Sequence, residues 1–159
     1  MRKQAESGGG FEPRIIGFIC NWSAYSGLEM AGVNHREYPS SVHFIRLMCL
    51  GRVHDGLILK AFEAGADGVL LLGCPAGNCH YEFGIDRVKE SLNRIGKMMR
   101  LLGLGARRIR LVEVPAGDDK LVAREITAFD QKIRNLGPSP VKRSPSPRLL
   151  EWDAAQRRR

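Results

Sequence analysis

The strongest constraint on the fold is a change of hydrophobic period that recurs four times between residues 14 and 137. Arg14 to Cys20 holds Ile15, Ile16, Phe18 and Ile19, a short continuous apolar run typical of a strand buried on both faces. Val42 to Cys49 and Asp67 to Cys74 are two further runs; the latter, with Val69, Leu70, Leu71 and Leu72, is the most apolar. Arg108 to Val114 is the fourth, broken by Pro115-Ala116-Gly117. Between them the period lengthens to that of a helix. Leu28, Met30 and Ala31 suggest a short first helix, and Asp55 an N-cap for a second that carries Ile58, Ala61 and Phe62 and stops at Gly65. Ile85, Val88, Leu92, Ile95, Met99 and Leu102 form one stripe ended by Gly103. Val122, Ile126, Phe129 and Ile133 form another, capped by Asp118 or Asp119 and closed by Gly137-Pro138.

Strands that alternate with helices need right-handed crossovers and a parallel sheet covered on both sides. The expectation is an α/β fold: a small doubly wound, mainly parallel sheet of about four strands, flavodoxin-like in shape. A chain of 159 residues, 43% hydrophobic and 26% charged, suits one such domain rather than wholesale disorder. Residues 1–13 read as a flexible N-terminal segment without a secretory h-region, and no apolar stretch reaches the length of a membrane helix. A cytoplasmic location, with reduced thiols, is expected. The net charge is +8, and the Pro/Ser/Arg-rich tail 138–159 carries six basic against two acidic residues. Trp152 is its only aromatic, so the tail reads as a solvated extension, with contact to an acidic partner surface as the alternative, and nucleic-acid binding is not expected.

The chain has four cysteines, and all fall where a parallel sheet would bring them together. Cys20, Cys49 and Cys74 end the first three strands, and Cys79 lies in the loop that follows Cys74. The carboxyl ends of parallel strands share one edge, the edge where ligands bind. Buried cysteine as a small hydrophobe would explain one or two such positions, not all four. Four thiolates suit zinc, a [2Fe–2S] cluster or a [4Fe–4S] cluster. The four-residue gap in Gly73-Cys-Pro-Ala-Gly-Asn-Cys-His80 is looser than a structural zinc knuckle and resembles the open loops that wrap [2Fe–2S]. Gly51, Gly73 and Gly77 would let backbone amides approach the sulfurs. His80 is a candidate hydrogen-bond donor to sulfur, since a Rieske centre would need two histidines. Trp22, Tyr25 and Tyr81 are candidate shields against water, and Arg46 and Arg52 could offset negative charge. No dinucleotide fingerprint, phosphate-binding lysine motif or catalytic triad stands out, which points to a carrier rather than a catalyst.

Three motifs in order, Arg14-Ile-Ile-Gly-Phe-Ile-Cys-Asn-Trp-Ser-Ala-Tyr-Ser-Gly27, Arg46-Leu-Met-Cys-Leu-Gly-Arg-Val53 and Asp67-Gly-Val-Leu-Leu-Leu-Gly-Cys-Pro-Ala-Gly-Asn-Cys-His-Tyr81, resemble the delta subunit of methyl-viologen-reducing hydrogenase. The resemblance spans residues 14 to about 135 and leaves the tail outside it. It implies a [2Fe–2S] cluster held in this chain by Cys20, Cys49, Cys74 and Cys79. It also implies a relay between a hydrogenase, formate dehydrogenase or other dehydrogenase and a heterodisulfide reductase-like flavoprotein subunit. One departure qualifies it: the family typically has Cys-Asn-Trp-Cys in the first loop, where this chain has Ser23. Either a ligand is replaced, by Ser23, His80 or water, or a spare cysteine is missing; four remaining thiolates favour the second. The competing expectation is a zinc-stabilised or cluster-free interaction module.

Overall fold

In a computed structural model, residues 10–141 are described. The N-terminal residues 1–9 and the tail from 142 onward, including Trp152, lie outside them. The elements run β1 (Ile15–Cys20), α1 (Ser23–Val33), β2 (Val42–Leu47), α2 (Asp55–Glu63), β3 (Gly68–Gly73), α3 (Gly84–Leu101), β4 (Ile109–Glu113) and α4 (Asp119–Leu136), with single 3-10 turns at Leu50–Arg52 and Ala106–Arg108. All strand pairs are parallel and the order is β2-β1-β3-β4. The expected doubly wound α/β architecture is the one observed.

The order contains a reversal that decides where the site lies. From β1 the chain winds outward to β2, then returns to the other side of β1 for β3 and continues to β4. The switch point falls between the carboxyl ends of β1 and β3, the position at which doubly wound sheets bind ligands. In register, Ile19 is level with Leu72, so Cys20 and Cys74 follow at neighbouring strand ends.

β3 is buried along its whole length, as its unbroken apolar run requires. The stripe of α4 (Val122, Ile126, Phe129, Ile133) is buried without exception. In α3, Ile85, Val88, Ile95 and Met99 are buried as expected, but Ser91 takes the inward place beside half-buried Leu92, and Leu102 is exposed. A stripe read at steps of three and four drifts from a helix of 3.6 residues per turn, and here it drifts by one position. The first helix is longer than Leu28, Met30 and Ala31 suggest. Its inner face is Ser23, Ala24, Gly27 and Ala31, small residues that bring it close to α4: a Cβ on Gly27 would stand 3.0 Å from Val122 and 3.2 Å from the Asp118 carbonyl. Two local expectations need correction. Asp55 does not cap α2; His54 occupies that position, and the Asp55 carboxylate pairs with Arg94 at 3.2 Å. Nor does β2 reach Cys49, which caps the turn Leu50–Arg52 by accepting the Gly51 amide at 3.3 Å. For α4 the cap is Asp118, which accepts from Leu121 N at 2.9 Å.

Beyond Gly137 the described chain stays against the domain. Buried Arg108 donates to the carbonyls of Leu136, Gly137 and Pro138 and of Asp67, and Ser139 N donates to Asp67 Oδ1 at 2.7 Å.

Candidate metal centre

The four cysteines meet at the carboxyl edge in two pairs. Cys20, the last residue of β1, and Cys74, one residue past the end of β3 rather than its last residue, lie with their sulfurs 3.5 Å apart, only 2% and 3% exposed. Cys49 and Cys79 are half-buried and come from the turn after β2 and the loop before α3. Their meeting point is Gly84, the first residue of α3. A Cβ there would overlap the Cys49 sulfur and stand 3.0 Å from that of Cys79. Gly51 in turn packs on Gly84, where its own Cβ would stand 3.0 Å from the Gly84 Cα. Two glycines therefore clear the space that the outer thiols occupy.

Electrostatics tie all four together. Burial pushes Cys20 up to about 11 against the amide of Trp22, with Cys74 and Cys49 adding to the rise. Burial also raises Cys49, opposed by the Gly51 amide and reinforced by Cys79 and Cys74. Cys74 moves the other way. Burial acts to raise it too, but the Ser23 hydroxyl, the amides of His80 and Ser23 and the Cys20 thiol outweigh that and hold it below 9.0. Desolvation disfavours a thiolate, and donors aimed at the sulfur restore it.

His80 thus serves the site through its backbone amide, while its ring stacks on Trp22 with centroids 3.6 Å apart and planes 19° from parallel. Tyr81 meets both rings edge-on. Arg46 is committed elsewhere: its guanidinium lies 3.8 Å over the Tyr25 ring and donates to Asn21 Oδ1 at 2.6 Å. Arg52 borders a cleft of about 580 Å³ beside Cys49, shared with Met48, Tyr81, Phe83 and Arg87. Phe83 (62% exposed) and Met48 are apolar groups left to solvent at its rim. The sequence reading missed Gly84, Phe83 and Arg87. A glycine directly after a cysteine loop and at a helix start was the available signal for the first.

Two sulfurs on one tetrahedral metal with bonds of about 2.3 Å stand roughly 3.7 Å apart, close to the Cys20–Cys74 spacing. Among the described residues, no three His, Cys, Asp or Glu side chains converge as on a single ion. The donors present, two thiol pairs brought together beside Gly84, suit a thiolate-held metal group.

Fold and site define a class: a small parallel α/β protein with four thiols gathered at the switch point of its sheet. Within that class the chain belongs to the family of the methyl-viologen-reducing hydrogenase delta subunit, whose pattern it matches over residues 15–137. It is 37% identical over 132 residues to the iron-sulfur subunit of the F420-non-reducing hydrogenase vhc of Methanococcus voltae, covering 83% of this chain and 92% of that one. With the F420-non-reducing hydrogenase iron-sulfur subunit of Archaeoglobus profundus it shares 36% identity over 133 residues, 84% of this chain and 97% of that one. A stretch of a ferredoxin:CoB-CoM heterodisulfide reductase subunit of Methanosarcina mazei is also similar, 32% identical over 133 residues, or 82% of this chain but 17% of that protein.

Proposed function

We propose that this chain is an electron-transfer subunit that holds one [2Fe–2S] cluster on Cys20, Cys49, Cys74 and Cys79, in a complex of hydrogenase and heterodisulfide reductase type. The observation that carries this reading is the pairing of the thiols, one pair on the central strands and one at Gly84. Relatives named as hydrogenase iron-sulfur subunits support the cluster, and the similar stretch in a heterodisulfide reductase protein supports a partner of that kind. Bound there, the cluster supplies a one-electron centre. The protein's part is to hold it and expose one side. Buried Cys20 and Cys74 form the closed side; half-buried Cys49, which lines the cleft rimmed by Met48, Tyr81 and Phe83, and half-buried Cys79 form the open one. A redox partner docks on the open side, where exposed aromatic and arginine groups are the residue types favoured in interfaces.

Anaerobic purification tests this. Brown protein with two irons per chain, visible sulfur-to-iron bands and a reduced-state EPR signal is the expected result. Colourless protein with one zinc per chain would establish the zinc module instead.

A further inference from the structure

Among the described residues, Ser23 is the polar side chain at the thiol cluster whose own bonding is incomplete. It is the first residue of α1, three positions after Cys20, and only 8% exposed. Its Oγ is fully buried and has no well-formed hydrogen bond among the described residues. Such a group ordinarily costs stability, so a buried orphan calls for a reason. What lies before it is the Cys74 sulfur, which also faces the Ser23 and His80 amides. A neutral thiol accepts hydrogen bonds weakly; a thiolate, or a thiolate bound to metal, accepts them well. A hydroxyl hydrogen turns about its C–O bond, so it can be aimed at an acceptor without moving the oxygen.

We propose that Ser23 is a positioning and tuning residue: in the loaded protein its hydroxyl donates a hydrogen bond to the Cys74 thiolate and raises the reduction potential of the centre. The inference rests on the cluster assignment above. Reduction adds negative charge that spreads onto the cysteine sulfurs, and a donor at one of them stabilises the reduced form more than the oxidised. Geometry gives Ser23 this role in preference to that of a ligand. Cys74 already has Cys20 at the separation expected for two sulfurs on one metal, and the two outer thiols complete the set.

The test is a redox titration of anaerobically purified protein, followed by visible absorption and EPR. For Ser23→Ala, which removes one oxygen and places a good helix former at the start of α1, we expect full iron content, a midpoint potential more negative than wild type and shifted sulfur-to-iron bands. Ser23→Thr keeps the hydroxyl and is expected to restore the wild-type potential. An Ala variant with full iron and unchanged potential and bands overturns the proposal, as does a Thr variant with the potential of the Ala variant. Loss of iron from a folded Ala variant also overturns it, because the oxygen would then be a ligand. Wild-type protein without iron would be a failure of the cluster assignment, and is seen before any variant is made.

Discussion

At the scale of single residues the site depends on an absence of side chain. Gly84 stands where any Cβ would overlap the Cys49 sulfur and crowd that of Cys79, so its role is to leave room for both outer thiols. Gly84→Ala is expected to abolish or severely weaken metal retention while the fold survives, because alanine is otherwise welcome at a helix start. Iron content alongside far-ultraviolet circular dichroism checks this; full occupancy would show that the outer thiols have freedom the packing does not suggest. Asp119 offers a residue-scale prediction of another kind. Its carboxylate accepts from Arg36 and Asn34, both at 2.8 Å, and these bonds hold it below its ordinary 3.8. A carboxylate whose folded value is depressed adds stability above its unfolded pKa, and the addition is lost as pH falls through the folded value. Asp119→Asn should therefore lower the melting temperature at neutral pH, and the gap to wild type should close in acid, below the ordinary carboxylate range. A gap that stays constant down to strong acid would place the effect in packing instead.

At the scale of elements, Arg108 joins the start of β4 to the end of α4. Its guanidinium is buried, burial lowers its pKa, and it donates to Asp67 O and to three successive carbonyls at Leu136, Gly137 and Pro138. Arg108→Ala leaves those carbonyls without their donor and is expected to cost about 3 kcal/mol, measured by denaturant unfolding. A cost below about 0.5 kcal/mol, the range of ordinary surface changes, would mean that water replaces the guanidinium fully. Elements are also where sequence reading divides into what was visible and what was not. The four strands and the long helices were legible because each is long or apolar enough to impose its own period. Cys20 and Cys74 were legible as neighbours because parallel topology alone brings strand ends to one edge. The inner face of α1 was not legible: alanine, glycine and serine carry little hydrophobic signal, and only the approach of α4 gives them meaning. The division of four thiols into two pairs was equally hidden, since it depends on how the Cys79 loop folds back over Gly84.

At the scale of the whole molecule, the two pairs differ in what holds them. Cys20 and Cys74 follow hydrogen-bonded central strands whose residues are almost wholly buried, so their separation is fixed by the same contacts that stabilise the sheet. Cys49 and Cys79 belong to a short turn and a loop, segments that open at little cost relative to a core. The site therefore has one half built on the sheet and one built on a turn and a loop. If the proposed cluster is held there, the strand-borne sulfurs would form the part of its site fixed by the sheet, and the sulfurs of the turn and loop the part set by local chain geometry.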